Sequence, residues 1–140
     1  MTDEMSLSDL EAYAKKQIVA ERYPNDFHRF RLFRCDRCGV VPFEVAIEHH
    51  TGSKRGDFKG VIWGVCAKCK TPKRLFSFTG EHRKRLRGEK PVCRCGNATF
   101  LAAECERIEC DEGLMGFFDE GVVVGQCSRC GRNRALVHTD

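Results

Sequence analysis

The sequence predicts a mainly β, small metal-stabilised fold, in which two three-stranded modules follow an N-terminal amphipathic α-helix. Three observations carry this expectation. The stretch Gly60-Val-Ile-Trp-Gly-Val-Cys66-Ala-Lys-Cys69 is written a second time as Gly121-Val-Val-Val-Gly-Gln-Cys127-Ser-Arg-Cys130, each a β-branched run closing on a Cys-x-x-Cys pair. Both copies place one glycine six residues before the first cysteine and another two before it. The chain is also short, 140 residues with ten cysteines, and modules of about 50 residues usually need metals, disulfides or oligomerisation to offset chain entropy.

Ser8-Asp-Leu-Glu11 has the form of a capping box, in which hydroxyl and carboxylate satisfy backbone N–H groups at a helix start. The helix is expected to run to about Arg22. Leu10, Ala14 and Ile18 recur at i, i+4, i+8 and give it one apolar stripe, read as packing on the chain's own core. Tyr23-Pro24-Asn25-Asp26 ends it, because proline disfavours helical geometry in the preceding residue. Next, Phe27-His-Arg-Phe-Arg-Leu-Phe-Arg34 alternates apolar and basic residues as a strand. It admits two readings: Phe30 and Leu32 fill a core beneath a wet face of Arg29, Arg31 and Arg34, or the alternation stacks bases and neutralises phosphates.

Cys35-Asp-Arg-Cys38-Gly39 is the first knuckle, its glycine suited to a turn that needs positive φ. Phe43, Val45 and Ile47 alternate with Glu44, Ala46 and Glu48 as a half-buried strand, and the chain returns along 60–65 into Cys66 and Cys69. A strand near Leu75 to Phe78 completes the first module. Glu81-His-Arg-Lys-Arg-Leu-Arg-Gly-Glu-Lys90 is basic with almost no apolar content and reads as a linker. The pattern then restarts: Cys93-Arg-Cys95-Gly96 answers the first knuckle, Phe100 answers Phe43 and Leu136 answers Leu75 at matched offsets. The expected organisation is helix 1–25, first module 26–80, linker 81–91 and second module 92–140. Cys93-Arg-Cys95 holds a single intervening residue, too few for the usual knuckle turn.

On these motifs each half resembles a zinc ribbon, two cysteine knuckles brought together by antiparallel strands, as a tandem pair over about residues 30 to 140. The resemblance implies two structural Zn²⁺ per chain, on Cys35, Cys38, Cys66 and Cys69 and on Cys93, Cys95, Cys127 and Cys130. Four thiolates close a tetrahedral shell with no open position, which is structural geometry. Binding at such sites contributes about 10 to 16 kcal/mol of folding energy. Cys105 and Cys110 read as ordinary reduced thiols, with a replacement ligand or a reversible disulfide as alternatives. His49 and His50 read as non-ligands, because strand neighbours point to opposite faces. The acidic run from Glu104 to Glu112 reads as a solvated loop rather than a cation site.

Residues 22 to 90 hold seventeen Lys/Arg against seven Asp/Glu, whereas the flanking segments are each acidic, at −3. Two bound Zn²⁺ on eight thiolates would bring the formal +4 of the chain to zero and leave a dipolar molecule. Zinc ribbons are common in transcription, replication and translation machinery, so the resemblance implies a nucleic-acid-associated module, with Arg74, Arg83, Lys84, Arg85 and Arg87 as candidate phosphate contacts. A protein-interaction adaptor that recognises a macromolecular complex through charge asymmetry is the alternative. A rubredoxin-like electron carrier is a lesser one, since Lys70 stands where that family has glycine. No His-Glu-x-x-His, phosphate loop or Ser/His/Asp set appears, so neither an enzyme nor a small-molecule substrate is expected. The polar, acidic start and the lack of a long apolar run predict a cytoplasmic protein without membrane association.

Overall fold

In the computed structural model, residues 4–18, 27–50, 53, 57–78, 85–109 and 117–139 are described. They form one helix, α1 (Glu4–Lys16), and eight strands: β1 (Phe27–Leu32), β2 (Phe43–His50), β3 (Gly60–Cys66), β4 (Pro72–Phe78), β5 (Arg85–Glu89), β6 (Thr99–Glu109), β7 (Phe117–Cys127) and β8 (Asn133–Thr139). The fold is mainly β, and all strand pairing is antiparallel.

Two meanders, β2-β3-β4 and β6-β7-β8, lie in one sheet of order β4-β3-β2-β6-β7-β8. They join where β2 and β6 begin, through Phe43↔Phe100 and Glu44↔Thr99. The strand ahead of each first knuckle crosses to the opposite meander: β1 pairs with β6 and β5 pairs with β2. The two halves therefore exchange a strand, and each sheet segment is completed by the other half of the chain.

The duplication extends to single residues. Ile62↔Phe76 and Trp63↔Arg74 leave Leu75 as the extra residue of a bulge, and Val123↔Val137 and Val124↔Ala135 leave Leu136 in the same position. Leu75 is buried in the main core and Leu136 packs against it. A bulge re-aims one side chain without breaking the ladder, which is why both leucines reach the core at matched offsets.

One core lies on the sheet face that carries Phe43, Val45, Ile47, Ile62, Phe100 and Val123 together with cysteines of both halves. The other lies beneath α1, where Leu10, Ala14 and Ile18 cover Ala103, Cys105, Val122 and Val124. The apolar stripe thus packs on the chain's own core, with Phe30 and Leu32 at its edge. Arg29 and Arg31 take the wet side of β1 and pair with Glu106, at 2.8 Å, and with Glu104 of the neighbouring strand. The N–H of Phe58 donates to the carbonyl of His138 at 2.8 Å and ties the approach to β3 onto the edge strand β8.

Three expectations are corrected. The helix starts at Glu4, so Ser8 lies inside it rather than at its cap, and it ends at Lys16 instead of Arg22; Glu4 and the good helix formers Met5 and Leu7 favour an earlier first turn. The stretch taken as a linker contains β5, because its backbone completes β2 whatever its side chains. Glu104 and Glu106 belong to β6, where cross-strand arginines neutralise them, and not to a solvated loop. Among the described residues, no helix is long and apolar enough to cross a membrane.

Candidate metal centres

Each centre is assembled by two turns that the strands hold at a fixed separation. In the first, the N–H of Cys35 donates to Gly39 O at 2.8 Å and the N–H of Gly39 returns to Cys35 O at 2.9 Å. Gly39 has φ 81°, a backbone region that glycine enters at no steric cost. In the second turn Lys70 N–H donates to Cys66 O at 2.9 Å, and Lys70 itself sits at φ 64°. Its counterpart in the other half is Gly131, at φ 79°. The lysine thus adopts the left-handed geometry that the second copy assigns to glycine.

The structure brings together two groups of four cysteines that could hold a metal ion, Cys35, Cys38, Cys66, Cys69 and Cys93, Cys95, Cys127, Cys130, with all four sulfurs of each group within 4.8 Å of one another. Sulfur separations are 3.5 Å for Cys35 and Cys69, 3.4 Å for Cys93 and Cys130 and 3.6 Å for Cys95 and Cys127. Bonds of about 2.3 Å in a tetrahedron set sulfurs roughly 3.8 Å apart, so the spacing fits a closed four-thiolate shell.

Backbone N–H groups point at these sulfurs. Lys68 and Cys69 both donate to Cys66 Sγ at 3.4 Å, and in the second centre Arg129 and Cys130 donate to Cys127 Sγ at 3.4 and 3.5 Å. The Thr71 hydroxyl, 3.2 Å from Cys69 Sγ, is the first cause holding that thiol down to about 6. Burial works against ionisation at Cys127, yet the Cys130 N–H, the Asn97 amide and the Arg129 N–H hold it down to about 6. Burial, then the neighbouring thiols, push Cys38 up to about 12. Four bare thiolates cannot all ionise at this separation, and a divalent cation is the species that lets them do so.

Cys93-Arg-Cys95 does close, contrary to the expectation from its length. Cys93 N–H donates to Asn97 O and Gly96 N–H to Cys93 O, both at 2.8 Å, with Gly96 at φ 93°. The Asn97 amide then binds the Thr99 carbonyl at 2.9 Å and Cys127 Sγ at 3.3 Å and braces the shortened turn. The two centres lie at the ends of one row across four strands: Cys66 pairs with Phe43, Phe43 with Phe100 and Phe100 with Cys127. Three interstrand steps put Cys66 and Cys127 roughly 15 Å apart.

Other candidates fall outside the centres. Cys105 is fully buried beneath α1, where burial raises its thiol to about 11, and Cys110 lies outside the described residues. Neither histidine joins a cysteine group. His49 Nε2 lies 3.0 Å from Glu89 and its Nδ1 3.2 Å from Ser53, while its ring meets Phe58 edge-on at 5.4 Å, so it clamps the loop after β2 to β5. His50 Nε2 lies 3.0 Å from Glu48.

Arg74 is exposed on β4 opposite Trp63. Arg85 and Arg87 lie in β5, in register with His50 and His49, and Arg83 and Lys84 lie outside the described residues. Single-motif reading missed a larger basic set. The four turns with the first residues of the strands that leave them, 34–39, 67–74, 92–97 and 128–134, hold ten Lys/Arg and one carboxylate, Asp36, and a second carboxylate, Asp9 of α1, accepts from the Asn133 amide at 2.9 Å. All ten except half-buried Lys73 are exposed, and Lys73 pairs with Asp36 at 3.0 Å. Counting each turn's charges separately from its half would have found it.

Fold and site define a mainly β protein with two four-cysteine groups able to bind metal. Compared with family models, with curated proteins and with solved structures, the chain matches none.

Proposed function

We propose that the protein is a zinc-binding, nucleic-acid-associated module built as a strand-exchanged pair of zinc ribbons, with both centres structural and no catalytic role. All-thiolate donor sets favour Zn²⁺ and leave no coordination position for substrate. The observation that carries the nucleic-acid reading is the charge of the turns and the strand starts beside them, ten basic groups against Asp36 within these segments and Asp9 packed on the last. Even after two metal-thiolate centres of net −2 each are included, these turns stay strongly positive. Of the acidic residues of the second half, Glu104 and Glu106 are paired to β1 arginines, which leaves their charge compensated within the sheet.

Trp63 adds a stacking surface. The positions that α1 covers on β7 and β8, Val124 and Ala135, correspond in the first half to Trp63 and Arg74, and Trp63 is 40 % exposed. An exposed indole beside a guanidinium suits an unpaired base and its phosphate. A protein partner is the second reading, favoured by the exposure of Trp63 and Val92, the large apolar side chains left exposed among the described residues.

The test is a salt titration of binding to single-stranded DNA and RNA pools. Replacing Arg37, Lys68, Arg94 and Arg132 by Gln is expected to reduce the slope of log affinity against log salt by roughly three, with zinc content unchanged. Replacing Arg83, Lys84, Arg85 and Arg87 tests the basic stretch between the halves in the same assay. Wild-type protein that binds no pool at 50 mM salt would reject the nucleic-acid reading and leave the protein partner in its place.

A further inference from the structure

The two centres differ in how their last cysteine is covered. Of the candidate ligands Cys130 is the exposed one, whereas Cys35, Cys66, Cys93 and Cys127 are buried and Cys38, Cys69 and Cys95 are half-buried. The duplication supplies its control, because Cys69 holds the same place in the first centre. Lys70 follows Cys69, and Thr71 then sets its hydroxyl 3.2 Å from Cys69 Sγ. In the second copy Gly131 and Arg132 stand at these positions. A Cβ added at Gly131 would meet no atom within 4 Å, so the space beside Cys130 is open.

The backbone N–H two residues on serves both sulfurs, that of Thr71 for Cys69 and that of Arg132 for Cys130. The hydroxyl is therefore the difference. A hydrogen bond to a thiolate stabilises its charge and lowers its readiness to attack an electrophile, and Cys130 lacks the one that the Thr71 hydroxyl gives Cys69. A second thiol stands ready beside it: Cys93 Sγ lies 3.4 Å from Cys130 Sγ. A shift of about 1.4 Å brings the two sulfurs to disulfide distance.

We propose that Cys130 is a modification site for hydrogen peroxide, and that its oxidation closes a disulfide with Cys93 and opens the second centre. The inference rests on the zinc reading above. The Cys130 thiolate attacks one peroxide oxygen, the O–O bond breaks, and the departing hydroxide takes a proton to become water, which leaves a sulfenic acid. Cys93 then attacks that sulfur, the S–S bond forms, and the sulfenic hydroxide leaves as a second water. Two thiolates have lost two electrons and peroxide has gained them. The centre is left with two of its four donors, too few to hold the metal, and a dithiol reductant returns both thiolates.

The zinc-loaded full chain is treated with sub-stoichiometric hydrogen peroxide, quenched by alkylation and mapped by peptide mass spectrometry, while a chromogenic chelator measures released zinc. A Cys93–Cys130 disulfide at least about ten times as abundant as any other is expected, with zinc lost in step and recovered on adding dithiothreitol and zinc. Gly131→Lys with Arg132→Thr, which copies the cover of the first centre, should keep both zinc ions and slow this oxidation several-fold. Lys70→Gly with Thr71→Arg should do the opposite, and add a Cys35–Cys69 disulfide across the matching 3.5 Å gap. Oxidation spread evenly over both centres, a first disulfide elsewhere, zinc that stays bound, or rates that neither exchange alters would each overturn the proposal. A chain that holds no zinc before peroxide is added would instead reject the zinc reading itself, so the two failures are told apart.

Discussion

Phe43 and Phe100 face each other across the junction of β2 and β6, each with no exposed surface, and each is followed outward in the same row by a cysteine of its own half, Cys66 or Cys127. This row makes the two candidate metal centres parts of one core. Truncating either ring to alanine is expected to cost about 3 to 5 kcal/mol, and because β1 and β5 are exchanged, both halves should lose structure together. Trp63, the single tryptophan, reports on the first half by fluorescence while far-UV circular dichroism reports on the whole sheet. Their unfolding midpoints should coincide in wild type and in both variants, whereas separate transitions would show that the halves fold independently.

Cys66→Ser should be far more damaging than Cys105→Ser. The first removes a buried sulfur that accepts two N–H groups in a candidate metal centre, where metal binding would supply folding energy. The second only exchanges a thiol beneath α1 for a hydroxyl, at a cost of about 1 to 3 kcal/mol. Zinc retention on gel filtration and thermal melts separate the two, and equal loss of metal from both variants would place Cys105 in a centre.

Burial raises the Cys105 thiol from 9.0 to about 11. Below pH 9 the thiol is protonated both folded and unfolded, and its stabilising contribution is intact. As the pH climbs from 9 towards 11 the unfolded chain ionises first and that contribution is lost. Cys105→Ala should therefore flatten the alkaline decline of stability in this window, measured as denaturant midpoints at fixed pH values.

Lys70→Gly should stabilise the protein, since Lys70 holds the left-handed conformation that Gly131 holds in the other copy. Relief of the side-chain penalty, about 1 to 2 kcal/mol, is partly offset by the greater chain entropy of glycine, leaving a gain of up to about 1 kcal/mol. Thermal melts at constant zinc concentration measure it, and a lowered melting temperature would mean that the lysine side chain makes a contribution larger than the strain.

The repeated glycines were legible as a pattern, but their reason appears only in three dimensions. At Gly60 a Cβ would stand 1.9 Å from the carbonyl oxygen of Glu48, whereas at Gly125 it would meet Phe100 Cβ at 3.2 Å. Gly60→Ala should thus cost several times as much as Gly125→Ala in a denaturant titration, because a backbone atom cannot give way as a side chain does. The cysteine turns, the alternation over 43–48, the stripe Leu10, Ala14, Ile18 and the matched Phe43/Phe100 and Leu75/Leu136 were readable because each rests on local spacing. The strand exchange was not. Arg85–Glu89 has the composition of a linker and becomes a strand only because β2 offers it a free edge, a long-range fact. Arg107, only 1 % exposed, was equally hidden, because its partner Glu120 is brought to it by the β6–β7 ladder.

The most direct measurement is elemental analysis of protein purified without added metal, combined with far-UV circular dichroism before and after a strong chelator. Two zinc ions per chain are expected, and stripping them should abolish the cooperative unfolding transition, since binding at each centre contributes about 10 to 16 kcal/mol. One metal per chain would remove the second centre, a coloured iron-loaded protein would mark an electron carrier, and a metal-free chain that still melts cooperatively would contradict the structural role of both.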